Sequence, residues 1–336
     1  MLSRTADDLF WMSRYVERAE NVARLLEVAD RMALMPQQAG GTDEWTAVLI
    51  AGGVAPLYTE KVGRVEAEPT LRFMALSADN PSSIRNCFQV ARENARAQRH
   101  TITRELWEAI NDTWHGIRDM DAQQVEAMGR TAFFEWVKSR SHLVRGALAG
   151  TMIRDDAYCF MRLGTFIERA DSTSRILDVK YHLILPTEEV VGGAPDYYQW
   201  AALLQSVSAQ GSYRRMFGDQ IRYSLVAELL VLRPEMPRSV RSCYDNIMQN
   251  LQELTQGYET QPRCVRMAGK LRARLVYGEV GEITGQESGL HEFLTDVVDT
   301  NLQIAAQIGK DFLLTPEGEG TPLAIPENAR QEQTMG

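Results

Sequence analysis

Apolar residues recur along this chain at the three-and-four spacing of helices, and the pattern is sustained over long stretches. It predicts helices near 5–33, 43–55, 82–99, 101–118, 121–150, 155–184, 194–208, 215–231, 237–258, 262–277 and 287–313. No set of alternating, β-branched segments bounded by tight turns interrupts them, so the expected fold class is all-α. In the first helix Leu9, Met12, Tyr15, Val16, Ala19, Val22, Ala23 and Leu26 share one broad face, which reads as a core stripe. Asp79 or Asn80 reads as a cap placed before Pro81 in a first turn, and Pro237 reads the same way. Beyond Leu314 the stretch TPEGEGTPLAIPENARQEQTMG is rich in Pro, Gly, Glu and Gln, and residues 314–336 are expected to be a flexible tail.

One segment is written twice. Tyr15 to Val28 reads YVERAENVARLLEV and Phe166 to Val179 reads FIERADSTSRILDV, 151 residues later. Glu17 matches Glu168, Arg18 matches Arg169, Glu20 matches Asp171, Arg24 matches Arg175 and Glu27 matches Asp178. Weaker matches follow in order: Trp45 with Trp200, Tyr58 with Tyr213, NPSSIRNCF (80–88) with MPRSVRSCY (236–244), and FEWV (134–137) with HEFL (291–294). An internal duplication is the economical reading, with one half over 1–152, a second over 153–313, and the two packed about a pseudo-twofold axis.

On a helical wheel Glu17, Glu20, Arg24 and Glu27 gather on one flank of the core stripe and Arg18 falls on the other. The adjacent Glu and Arg therefore look towards different neighbours. Glu20 with Arg24, and Asp171 with Arg175, are i,i+4 pairs in the favourable order, each contributing roughly 0.3–0.5 kcal/mol if exposed. That is too little to account for repeating the whole cluster. Two readings stay open. In one, Glu17 and Glu168 cross to arginines on neighbouring helices and fix helix register; in the other they form an acidic pocket that holds a cation or acts as a general base. The expected partners are Arg85 for Glu17 and Arg241 for Glu168, because each lies in the first turns of a helix. Arg85, Arg92, Arg96 and Arg99 line one face, whereas beyond Arg241 the second half has Met248, Gln252 and Thr255 at the matching places. This stripe reads either as a solvated face or as a dock for an acidic partner or peptide carboxylate.

Composition narrows the function. A net charge of −9 argues against nucleic acid as a partner, and no apolar run reaches the roughly 20 residues needed to span a membrane. With an acidic N-terminus in place of a signal-peptide core, a cytoplasmic protein is expected. Cys87, Cys159, Cys243 and Cys264 are scattered and none pairs with histidine at zinc-like spacing, so no metal is expected. The five histidines, His100, His115, His142, His182 and His291, show no repeat symmetry and no Glu-x-x-His pairing. There is no GxxxxGK[ST] or GxGxxG loop and no nucleophile elbow, so no cofactor is expected and nucleophilic catalysis is poorly supported.

The opening LSRTADDLFWMSRYVERAENVARLL, the second IERAD, the helical pattern and the length together resemble the bacterial alpha-E domain family, and the resemblance covers Met1 to about Leu314. It implies an α-helical domain whose motif positions are Glu17, Arg18, Glu168 and Arg169, in a family without a settled biochemical activity. It further implies genomic association with a circularly permuted ATP-grasp ligase and a transglutaminase-like peptidase, hence an accessory or substrate-holding role in peptide synthesis or modification. Two alternatives stay open: an enzyme using Glu17 or Glu168 as acid/base on a peptide or amide, with Arg18, Arg85, Arg169 or Arg241 holding a carboxylate, and a purely structural scaffold, homo-oligomeric or not.

Overall fold

A computed structural model describes residues 3–34, 43–183, 194–285 and 289–313. The expected tail 314–336 lies outside them. The chain is all-α, and no strand occurs among the described residues. Its first half runs α1 (Ser3–Met32), α2 (Glu44–Ala51), α3 (Ala55–Lys61), α4 (Ala67–Leu76), α5 (Ile84–Ala97), α6 (Arg104–Ile117), α7 (Ala122–Met128) and α8 (Arg130–Thr151). There follow α9 (Asp156–Leu183), α10 (Ala194–Ser206), α11 (Gln210–Phe217), α12 (Tyr223–Ala227), a π-helical turn (Glu228–Leu232), α13 (Val240–Leu254), α14 (Arg263–Tyr277), α15 (Val280–Thr284) and α16 (Gly289–Phe312).

The two longest helices, α1 and α9, form the centre and pack against each other. Each has its own set of neighbours in the same order. α1 packs on α5 and α8, with α5 on α6 and α6 on α8; α9 packs on α13 and α16, with α13 on α14 and α14 on α16. The core stripe of α1 is buried at Leu9, Met12, Val16, Ala19, Val22, Ala23 and Leu26, while Tyr15 is only partly covered. Close approach of α1 and α9 depends on Gly164, because a Cβ there would stand 2.2 Å from the Phe10 carbonyl oxygen. Only a residue without a side chain fits.

Several matched positions have matched jobs. Trp45 and Trp200 are buried, as are Cys87 and Cys243. The Tyr58 hydroxyl donates to the Arg64 carbonyl at 3.1 Å, and the Tyr213 hydroxyl donates to the Gln220 carbonyl at 3.0 Å. The caps differ from expectation. Ser83 and Ser239 cap α5 and α13, their hydroxyls accepting from the backbone N–H groups of Asn86 and Ser242. Pro81 and Pro237 precede the helices, and Asn80 instead closes a local turn by accepting from the Ser82 N–H at 3.0 Å. A serine hydroxyl reaching the third helical N–H outcompetes the proline start.

Four boundaries also differ. The segment 121–150 breaks at Gly129, whose φ of 87° no helix accommodates. The segment 43–55 ends early and is followed by α3, and α4 was not expected; both short helices carry a proline in the first turn, Pro56 and Pro69. The segment 215–231 divides into α11, α12 and the π-helical turn, separated at Gly218 with φ 84°.

Candidate functional site

The two Glu-Arg dipeptides meet at the α1–α9 contact, and they exchange partners. Glu17 accepts from Arg169 through both carboxylate oxygens, at 2.8 and 2.9 Å, and Glu168 accepts from Arg18 at 2.6 and 3.0 Å. Each glutamate takes a second guanidinium: Arg145 of α8 at 2.8 Å for Glu17, and Arg14 of α1 at 2.9 Å for Glu168. Forked pairs of this kind are the strong class of charged hydrogen bond, because two parallel N–H groups fit one carboxylate. All four motif residues except Arg18 are buried, and Arg18 is nearly so.

Glu20 extends the lattice along α1. It accepts from Arg24 at 3.0 and 2.8 Å, lies 2.5 Å from Arg145, and accepts from Arg238, which precedes α13. Arg238 also stands 3.3 Å from Glu17. Around Glu17 and Glu20 there are thus four guanidiniums, Arg24, Arg145, Arg169 and Arg238, against two carboxylates. In the matching stretch of α9, Asp171 accepts from Arg175 at 2.7 Å, and Arg175 reaches the Ala51 carbonyl at 3.4 Å.

Electrostatics follow from burial and these contacts. Burial pushes the carboxyls of Glu17 and Glu168 up, but Arg169 and Arg145 in one case and Arg18 and Arg14 in the other outweigh it, holding both at about 2. Glu20 is likewise held well below the usual carboxylate range, with Arg238 the main opposing cation. Arg238 is pushed down to about 10 by burial, with Arg24 and Arg169 adding like-charge repulsion against the pull of Glu20 and Glu17. A carboxylate so strongly held in its charged form is a poor proton acceptor at neutral pH.

A cleft of about 340 Å³ opens beside this lattice. Its walls come from Glu27 and Arg31 of α1, from Glu135, Lys138 and His142 of α8, and from Gln205, Ser208, Gln210 and Gly211 around the turn between α10 and α11. Glu27 is gripped by Arg31 at 2.8 Å and by Lys138 at 2.7 Å. Arg24 passes beneath the turn, donating to the Ser206 carbonyl and, at 3.2 Å, to the Ser208 hydroxyl.

The expected intra-half pairings are not the ones formed. Arg85 donates to the Met120 carbonyl, and Arg241 lies 4.0 Å from Asp245 on its own helix, while the glutamates are taken by arginines across the α1–α9 contact. Both arginines lie in the first turns of α5 and α13. The basic stripe on α5 and just beyond it is partly packed: Arg92 donates to Asn111 at 2.9 Å, and Arg92 and Arg99 approach the Trp107 ring of α6 at 5.8 and 5.1 Å, while Arg96 and Arg99 are exposed. Arg14, Arg145, Arg238 and Lys138 escaped the sequence reading. One signal was present for Arg238: it stands where the stretch 80–88 has Ser82, within an otherwise closely matched pair of segments.

Among the described residues no group of three or more His, Cys, Asp or Glu is placed to hold a metal ion, and no helix is long and apolar enough to cross a membrane. No solved structure matches the chain. An uncharacterized protein of Mycobacterium bovis and one of Mycobacterium tuberculosis (strain CDC 1551 / Oshkosh) are each 25% identical to it over 345 residues, covering 94% of this chain and 38% of the relative. The chain thus spans under two fifths of the length of these curated relatives. The model of the Alpha-E family, described as a predicted alpha-helical domain with a conserved ER motif, matches residues 1–313, which include both Glu-Arg dipeptides of the central lattice. The chain belongs to the Alpha-E family.

Proposed function

We propose that this protein is an accessory, substrate-holding component of a peptide synthesis or modification system, working with a separate ATP-grasp ligase and a transglutaminase-like protein. The observation that carries this reading is the spending of the motif carboxylates. Glu17 and Glu168 are each held by two or more guanidiniums at about 2, a state suited to locking helices and unsuited to moving protons. An open polar cleft beside the lattice gives such a component somewhere to hold a ligand. The greater length of the mycobacterial relatives supports a unit that works alongside further protein. The partner classes themselves rest on the family resemblance. The exchange of partners between the two motif copies supports reading residues 1–152 and 153–313 as duplicated halves about a pseudo-twofold axis.

Purification of the chain together with the products of its neighbouring genes, followed by mass spectrometry, tests the role. Stable association, and a modified peptide formed only when the ligase is present, is the expected result. Turnover of a peptide or amide by this chain alone, lost in Glu17→Gln or Glu168→Gln while the fold is kept, would overturn it.

A further inference from the structure

The outer face of α5 and α6 carries arginines that the chain leaves without counter-ions. Several exposed arginines meet a carboxylate close by: Arg104 meets Glu108 at 2.6 Å, Arg118 meets Asp119 at 2.7 Å and Arg272 meets Asp245 at 2.5 Å. Arg92, Arg96 and Arg99 form no ion pair with any described residue, although the chain has 45 acidic residues against 36 basic ones. A carboxylate is even at hand in Glu93, three residues before Arg96, but it accepts from Gln89 at 3.1 Å instead. Like charges one turn apart, as at Arg92 and Arg96, weaken a helix, so α5 carries a repulsion that nothing within the chain offsets. The places matching the three arginines beyond Arg241 hold Met248, Gln252 and Thr255, and the stripe has no counterpart there.

The stripe is also held ready. Arg92 spends only its Nε on Asn111, which leaves both terminal nitrogens of the fork. Trp107 of α6 is half-buried, and the guanidiniums of Arg92 and Arg99 rest over its ring at 5.8 and 5.1 Å. A cation resting on an indole gives up little further freedom when a carboxylate arrives. Arg92 and Arg96 stand one helical turn apart, about 6 Å along the axis, a spacing that residues i and i+4 of a helix or i and i+2 of a strand reproduce. Exposed carboxylates flank the stripe at Glu93, Glu108 and Asp112. They would repel a nucleic acid, whose charge runs unbroken along its length, and leave room for a short acidic segment between them.

We propose that the α5–α6 face docks a short acidic segment of a partner polypeptide, its carboxylates seated on Arg92, Arg96 and Arg99. Forked guanidinium–carboxylate contacts supply the attachment, and the opposite sign of the two surfaces supplies the selectivity. The inference rests on the accessory reading above for the existence of a partner and gives that reading a contact surface.

Fluorescence anisotropy of labelled hexaglutamate, titrated with the full chain, tests the face. Saturable binding that weakens as salt rises is expected, tighter than that of a labelled thymidine hexanucleotide. Arg96→Glu combined with Arg99→Glu should weaken it by about tenfold or more, and the neutral pair Arg96→Gln, Arg99→Gln by about threefold. Both side chains are exposed, so the melting temperature should hold in either variant. An equal change of net charge on α11, Arg214→Glu with Arg215→Glu, should alter binding by less than about twofold, since screening confines the effect to nearby charges. No saturable binding, tighter binding of the oligonucleotide, or an equal loss in the α11 variant overturns the proposal. Co-purification with the neighbouring gene products is read on the same variants. Association retained in Arg96→Glu, Arg99→Glu removes the docking face and leaves the accessory role, whereas peptide binding at the face with no association in the unaltered chain removes the accessory role and leaves the face.

Discussion

At the scale of single residues, the lattice makes stability depend on acid in a defined direction. Glu17 and Glu168 ionise at about 2 in the folded chain against an ordinary value of 4.5. A depressed carboxyl contributes its stability above the unfolded value and loses it as pH falls from about 4.5 towards 2, by linkage on the order of 3 kcal/mol for each group. Urea unfolding at pH 7 and pH 3 should show this loss, and Glu168→Gln should flatten the dependence; an equal slope in that variant would refute the assignment. At pH 7 the same substitution leaves Arg14 and Arg18 facing a neutral amide in a buried site, and should cost about 3–5 kcal/mol. The wheel put Glu17 and Arg18 on opposite flanks, and each is indeed spent on a different residue, yet both residues sit on α9. A wheel gives direction and not partner, so the swap with α9 was not legible. Neither was Arg145, which lies on α8 where α16, aligned through FEWV and HEFL, has Leu302.

At the scale of elements, long amphipathic helices were readable because their pattern repeats over many turns, while short ones were not. α3 has 7 residues and α4 has 10, too few turns for the apolar period to stand out against their prolines. The crossing of α1 and α9 was equally hidden, since a glycine inside a helix carries no signal of what approaches it. Gly164 faces backbone at a distance no Cβ tolerates, so Gly164→Ala should push the two helices apart and cost about 1–3 kcal/mol or more. Gly146 is a fitting control. It lies exposed in the interior of α8 with nothing within 4 Å of its would-be Cβ, and Gly146→Ala should stabilise by about 0.5–1 kcal/mol through helix propensity alone. Chemical denaturation of both variants measures the contrast. Equal effects at the two glycines would mean that the close crossing does not constrain the fold.

At the scale of the whole molecule, the partner exchange determines what can fold alone. Were Glu17 held by Arg145 of its own half alone, each half could bury its charges independently and unfold in its own transition. Glu17 also depends on Arg169, and Glu168 on Arg18, so a fragment of residues 1–152 carries a glutamate and an arginine with no motif partner, as does a fragment of 153–313. The apolar faces of α1 and α9 that pack on each other would be bared at the same time. The intact chain should therefore melt in one calorimetric transition whose measured and van't Hoff enthalpies agree, despite its size. The two fragments, expressed separately, should each show weak near-ultraviolet ellipticity and regain it on mixing. Two transitions in the intact chain, or a first-half fragment that folds cooperatively by itself, would show that the halves are held together more loosely than a shared lattice requires. The charge swap makes the stronger expectation, because removing one half from water-excluded contact strands ions in the other, and stranded ions cost more than a missing apolar surface alone.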